Sequence, residues 1–235
     1  MELHLDPTSF SGSVPLFPLP GTVLLPGGLL PLHVFEERYR EMLRDALAGE
    51  RLIGMAFLLP GYEQASDPEN PPIEPTVCVG RIVVEQELPD GRFNMVLAGL
   101  RRARVVAEDR SRPYRLAEVE LIDDDRPGDF DEALAGQRLY EFLTQLPARL
   151  VRQRERLVQA TELLRDRVGE DVPLGAVLDL LADSLELLPE DRLSLLRERH
   201  VGRRLGVLTQ GLAGLARQIQ GQAPRVSWRP RFSDN

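Results

Sequence analysis

Apolar and polar positions along the chain change period once, near residue 125, and that change divides it into two kinds of structure. Residues 14–32 are apolar but carry Pro15, Pro18, Pro20, Pro26 and Pro31, a density that forbids a helix and suits short edge strands and turns. Residues 34–48 switch to a helical period: Phe35, Tyr39, Met42, Leu43, Ala46 and Leu47 fall on one face and Glu36, Glu37, Arg40, Glu41 and Arg44 on the other, with Gly49 placed as a C-cap. Residues 52–59 read as a short apolar strand. Residues 60–75, with Pro60, Gly61, Pro68, Pro71, Pro72 and Pro75 among polar residues, read as a long surface loop, functional or disordered.

Strand signals return at residues 77–88. Pro89-Asp90-Gly91 is a turn, because proline fixes φ and glycine accepts a positive φ. Residues 92–98 alternate, with Phe93, Met95 and Leu97 on one face; Gly99 predicts a bend, and residues 100–107 a further strand. Residues 116–122 set Ala117, Val119 and Leu121 against Glu118 and Glu120. About six short strands with tight turns and one early helix predict an α+β chain whose first part is a small barrel or sandwich. The charged break Asp123-Asp124-Asp125-Arg126-Pro127-Gly128 places the subdomain boundary, giving a β subdomain over 12–125, a helical subdomain over 126–222 and a tail over 223–235. In the helical part the spacing predicts helices over 130–146, around Leu150–Val168, from Pro173 with Leu174, Val177, Leu178, Leu181 and Leu185 inward, from Pro189 with Leu193 and Leu196 inward, and around Leu205, Leu208, Leu212 and Leu215.

Composition narrows the chemistry. All 29 basic residues are arginine, which excludes a Walker A loop, a Ser–Lys dyad and any Schiff-base lysine. The net charge is −8; residues 1–125 carry 12 Arg against 21 acids and the remainder 17 against 16. So acidic a first half argues against a nucleic acid partner. The single cysteine, Cys78, forms no internal disulfide, and residues 1–6 lack a basic region followed by an apolar stretch. The expectation is a cytoplasmic chain with no signal peptide and no membrane span.

No constellation reads as catalytic or metal-binding. His4, His33 and His200 are scattered, there is no Gly-x-Ser-x-Gly, and Ser184 and Ser194 sit in helical patterns. No catalytic residue, metal or cofactor is expected. The paired carboxylates Glu36/Glu37 and the run of acids at 123–125 read as solvated. Arg101, Arg102 and Arg104 form a short basic cluster on a strand, read as a solvated face, as partners of Glu85 and Glu87, or as a contact for an acidic ligand.

Three blocks in order resemble one family. The run 14–33, Val-Pro-Leu-Phe-Pro-Leu-Pro-Gly-Thr-Val-Leu-Leu-Pro-Gly-Gly-Leu-Leu-Pro-Leu-His, continuing into Val34-Phe-Glu-Glu-Arg-Tyr39, resembles the opening of the N-terminal domain of Lon ATP-dependent proteases. A Val-Gly-x-Ile strand, an Asp-Gly hairpin and a Gly-x-x-Arg-x-Arg strand follow, with Gly80, Asp90, Gly91, Gly99, Arg102 and Arg104 in those places. The stretch from Leu185 to Arg192 with residues 203–205 resembles the helix pair that closes the domain. The resemblance implies a PUA-like, six-stranded β-barrel followed by a helical bundle. It also implies a non-catalytic module that binds unfolded polypeptide or a protein partner, an ATP-dependent protease among them. The expected contact surface is Phe17, Leu19, Leu24 and Leu25, with Arg102 and Arg104. Of the adjacent pair Leu24 and Leu25, strand alternation exposes one. RNA binding, known for PUA-like barrels, and an unrecognised hydrolase are the alternatives.

Overall fold

The computed structural model describes residues 5–64, 71–126, 128, 131–144, 151, 154–166 and 172–220. Among the described residues six strands and six α-helices follow one another: β1 (Ser13–Leu19), β2 (Leu29–Val34), α1 (Glu37–Ala48), β3 (Leu52–Phe57), β4 (Thr76–Glu87), β5 (Phe93–Asp109), β6 (Leu116–Ile122), α2 (Glu132–Leu143), α3 (Arg154–Asp166), α4 (Leu174–Ser184), α5 (Pro189–Arg197) and α6 (Val201–Gln220). The change of period near residue 125 therefore marks the passage from strands to helices. The tail over 223–235 and residues 65–70 of the proline-rich loop lie outside the described residues.

The strand order is β2-β5-β4-β3-β1-β6, and β6 pairs again with β5, so the order returns on itself. Strand β5 makes this possible by its length. Its 17 residues replace the two strands expected on either side of Gly99. One edge pairs with β4 from Phe93 to Arg104; the other pairs with β2 up to Ala98 and with β6 from Arg102. The expected bend survives as a bulge: Val79 opposes Arg101 and Gly80 opposes Gly99, leaving Leu100 unmatched. Strand β1 runs parallel to β3, and the helix α1 between β2 and β3 supplies part of the crossover.

The tight turn at 89–91 forms as its residues dictate, with Gly91 at φ +79° and the Arg92 amide donating to Asp90 Oδ1 at 3.1 Å. At the end of α1 the outcome differs from expectation. Gly49 occupies the C-cap with a negative φ, and the positive φ falls on Arg51 at 60°, whose amide donates to Ala46 O at 2.9 Å. Helix α1 starts later than its apolar pattern predicts, at Glu37, because residues 29–34 are committed to β2. Phe35 is consequently left outside, 54% exposed.

The helical part forms from local signals with one long-range addition. Asp131 caps α2 through Leu134 N at 2.9 Å. Pro173 precedes α4 and has no side-chain acceptor, so Glu132 of α2 reaches across to take the Leu174 amide at 2.7 Å. The residues that the period selects on α4 and α5, Leu174, Val177, Leu178, Leu181, Leu193 and Leu196, are buried, and Leu195, which it does not select, is buried with them. One apolar cluster runs from Phe17, Leu24 and Met95 through α1 into Leu178, Leu196 and Leu208, so the sheet and the helices share a core. A second fills the other face of the sheet with Val14, Leu16, Leu52, Val79, Ala103 and Ala117. No described helix is long and apolar enough to cross a membrane.

Candidate functional site

The proline-rich entry, expected to offer a contact surface, is interior. Phe17 on β1 packs its ring against Tyr39 at 4.6 Å. Leu24 and Leu25 are both buried, Leu19 is half-buried against the core, and Val23 is buried with them. The alternation argument fails for the Leu24–Leu25 pair because residues 22–25 are not a strand. They cross the sheet at a point where two residues without Cβ let the backbone approach. Gly27 N donates to Gly99 O at 2.8 Å and Gly99 N to Gly28 O at 2.9 Å. A Cβ on Gly99 would stand 2.1 Å from Leu25 O, and one on Gly80 would stand 3.0 Å from Leu24 Cδ2. Both leucines are thereby held inward, and in this conformation neither presents its side chain to a ligand.

The three arginines of the basic cluster do three different things. Arg104 is exposed and pairs with Glu120 at 3.1 Å. Arg101 pairs with Asp123. Arg102 is 4% exposed, which corrects its placement on a contact surface. Its Nη1 and Nη2 donate to both carboxylate oxygens of Asp179 on α4 at 2.6 Å each. Its Nε and Nη2 also donate to Leu196 O and Leu195 O at 3.1 Å. These are last-turn carbonyls of α5, where a cation is favoured. Burial works against the charge on Arg102, yet the Asp179 carboxylate holds its pKa above the ordinary arginine value.

Asp179 also receives Arg204 Nη1 of α6 at 3.2 and 3.3 Å. Arg204 Nη2 lies 2.6 Å from Asp124 Oδ1, an ion pair whose angle falls short of a hydrogen bond. The acidic run at 123–125 is therefore not uniformly solvated: Asp124 is drawn inward to a fully buried arginine. Gly175 permits this, since a Cβ there would stand 2.1 Å from Asp124 Oδ2. Arg192 of α5 adds a second link, donating to Ala182 O at 2.9 Å, to Asp183 at 3.1 Å and to Val23 O at 3.2 Å. These buried charges join the sheet, the proline-rich entry and three helices. They are a structural lock, and every donor that reaches a carbonyl is spent inside the protein.

Among the described residues no group of three or more His, Cys, Asp or Glu could hold a metal ion. Cys78 is fully buried, and burial pushes its thiol up to about 12, far from a reactive thiolate.

Exposed apolar residues lie elsewhere: Val106, Leu134, Val158 and Leu188 are scattered, and Leu29, Phe35 and Val84 gather at the β2 end of the sheet. Cross-strand register aligns Pro31, Val96 and Val84 in one row, and Leu29, Ala98 and Arg81 in the row beside it. Val84 is 55% and Leu29 38% exposed. Val84 reaches this face because Val83 is the extra residue of a bulge between Ile82 and Val84. Adjacent valines, which break strand alternation, are the one sequence sign of it. Phe35 continues the face past His33, the two rings 6.2 Å apart. Apart from these residues, a shallow groove of about 350 Å³ runs between Ile73 and Pro75 on one wall and residues 105–108 on the other.

Comparison with known proteins places this architecture. The profile described as "ATP-dependent protease La (LON) substrate-binding domain" matches residues 13–213. The chain belongs to the LON substrate-binding domain family. A Lon N-terminal domain protein from Xanthomonas campestris, solved by crystallography, is 30% identical with a TM-score of 0.56, covering 84% of this chain and 97% of that one. The N-terminal domain of a Mycobacterium avium complex Lon protease shares the fold at a TM-score of 0.62 and 20% identity, covering 86% of this chain and 98% of that one. Among whole proteases, Lon protease 2 of Myxococcus xanthus is 26% identical over 191 residues, 78% of this chain and 21% of that protein. The Dictyoglomus thermophilum Lon protease is 36% identical over 111 residues, 47% of this chain and 14% of that protein. The chain thus spans less than a quarter of the length of such Lon proteases.

In this LON domain the residues that carry the family resemblance, the exposed Arg104 apart, hold the fold together. Gly80 and Gly99 admit the proline-rich entry, Asp90 and Gly91 form the hairpin, and Arg102 seats the sheet on α4 and α5.

Proposed function

We propose that this LON domain is a substrate-recognition module. It binds unfolded polypeptide, and through that binding it is linked to protein quality control alongside an ATP-dependent protease in the cytoplasm. It does so without catalysing a reaction, and no metal or cofactor enters the reading. The observation that carries it is the match of the LON substrate-binding profile across residues 13–213, which takes in both the strands and the helices. The strand order that returns on itself supports a closed, PUA-like barrel over 12–125, and the helices that follow support a helical bundle over 126–222.

The six residues first expected at the surface act differently under this proposal. Phe17, Leu24, Leu25 and Arg102 hold the fold, Leu19 lines its edge, and Arg104 is an exposed rim charge. The contact surface is the open face around Val84, Val96 and Pro31. The test is fluorescence anisotropy of a labelled, reduced and carboxymethylated protein against its native, folded counterpart. Binding of the unfolded form alone, independent of ATP, is the expected result. Equal binding of both forms, or of neither, would sink the proposal.

A further inference from the structure

The open face at the β2 end carries one charge, and that charge is unpaired. Arg81 has no hydrogen-bond or ion-pair partner among the described residues, although its Nε is buried. Elsewhere in this chain buried guanidinium groups are matched to carboxylates, as Arg102 and Arg192 are. Leaving a partly desolvated guanidinium without an acceptor is costly, and a ligand carboxylate would repair it.

The rest of the face is neutral. The row of Pro31, Val96 and Val84 is apolar, and the next is His33, Asn94 and Gln86. His33 Nδ1 lies 2.7 Å from Asn94 Oδ1 and its Nε2 3.3 Å from Arg92 Nη1. Arg92 itself is paired with Asp90 at 2.6 Å. In a chain of net charge −8, this face is apolar with a single free positive charge at one end.

Position decides which carboxylate fits. On β3 the residue paired with Arg81 is Leu52, which is buried in the cluster with Leu5 and Val79. A polypeptide lying along the face meets filled interior beyond Arg81 and has to stop there. From Leu29 to Phe35 the open face spans about 20 Å, the length of some six extended residues.

We propose that this face binds the carboxyl end of an apolar polypeptide. The terminal carboxylate sits against Arg81, and the preceding side chains lie over Leu29, Pro31, Val96 and Val84 towards Phe35. The proposal rests on the substrate-recognition reading and names the part of the substrate that is read.

The test uses the full chain and an amino-terminally labelled six-residue peptide of alanine, leucine and valine, made as the free acid and as the amide. The acid binds about tenfold more tightly than the amide, as a charge-assisted contact requires. Arg81→Gln abolishes that difference, Arg81→Lys restores part of it, and Val84→Ser weakens both peptides. Arg81 has no partner to lose, so its variants keep the wild-type melting temperature. Equal binding of acid and amide overturns the proposal, as does discrimination that survives Arg81→Gln. An amidated peptide with an internal glutamate that binds as tightly as the acid replaces the chain end by a side chain. A concentration-dependent dimer that Val84→Ser dissociates, with no peptide binding, assigns the face to a second copy. Reduced, carboxymethylated protein run in parallel separates the two levels. If it binds wild type and Arg81→Gln alike while the peptide pair is not discriminated, this proposal fails and the substrate reading stands. If it does not bind while the acid peptide is still preferred, the reverse holds.

Discussion

Arg102 on β5 and Asp179 on α4 meet through two parallel hydrogen bonds of 2.6 Å, both side chains 4% exposed, across 77 residues of sequence. A buried bidentate pair costs desolvation that its attraction only partly repays, but removing one partner strands the other as an uncompensated charge. Asp179→Ala leaves both Arg102 and Arg204 without their shared carboxylate. It should destabilise the domain by roughly 3–5 kcal/mol, measured as a shift in the urea midpoint at unchanged slope. The double variant Arg102→Leu with Asp179→Leu should lose less than Asp179→Ala, because only Arg204 then lacks the shared carboxylate and it keeps its ion pair with Asp124. If Asp179→Ala leaves the midpoint in place, the lock is not structural.

The neighbouring arginine gives the contrast. Arg104 lies two residues along the same strand, its side chain 63% exposed, and its partner Glu120 is as exposed. Surface pairs of this kind contribute about 0–1 kcal/mol. Arg104→Ala should therefore move the urea midpoint by no more than that, and high salt should erase the difference. A large loss would mean that Arg104 packs its stem against something other than Glu120.

Alternation identifies the buried face of β6 and of the first half of β5, and the helical period picks out the inward leucines of α4 and α5 apart from Leu195. These are cases where burial follows from a residue's own position in a regular element. Arg102, Asp124, Leu24 and Leu25 escaped the same reasoning. Whether an arginine is buried depends on a carboxylate arriving from elsewhere, here from α4. The two leucines are buried together because they lie on an irregular segment laid across Gly80 and Gly99. Phe35 was placed inward by a helical period that begins two residues after it. Arg81 gave no signal at all, since an unpaired arginine and a paired one look the same in a sequence.

Gly99 offers a direct test of how the entry segment is held. A Cβ there would meet the Leu25 carbonyl oxygen at 2.1 Å, and the atom in the way is backbone. Gly99→Ala must push residues 25–28 off the sheet and break the reciprocal hydrogen bonds with Gly27 and Gly28. The expected loss is about 3 kcal/mol or more. Amide hydrogen exchange at Gly27 and Gly99 should speed up before the rest of the sheet responds. Unchanged protection at those amides would show that the segment is held by its leucines alone.

Cys78 sets a pH dependence at the alkaline end. Burial raises its thiol from 9.0 to about 12, against the pull of the Arg102 charge. The unfolded thiol ionises from about pH 9, while the folded one keeps its proton until about pH 12. Stability is therefore unaffected by this group below pH 9 and falls across the window from 9 to 12, by about 1.4 kcal/mol per pH unit. Cys78→Ala should flatten the profile of unfolding free energy in that window. A residual slope above pH 10 comes from Tyr39 and Tyr114, both raised by burial. A native thiol that reacts with Ellman's reagent at pH 8 without unfolding would contradict the buried placement.

The last test separates apolar residues that fold the domain from those left for a ligand. Leu24 is 2% exposed and Phe35 is 54% exposed, though both belong to the same apolar opening of the chain. Leu24→Ser buries a hydroxyl in a space shaped for a leucine. It should cost about 3 kcal/mol, from the lost transfer free energy and the cavity together. Phe35→Ser removes a ring whose face is already in water, so the urea midpoint should stay within about 0.5 kcal/mol of wild type. If the open face is where polypeptide binds, the order reverses in a binding assay. Phe35→Ser then weakens association with carboxymethylated protein severalfold, while Leu24→Ser, at temperatures where it remains folded, binds as wild type does. Equal weakening by both variants would move the contact surface back to the proline-rich entry.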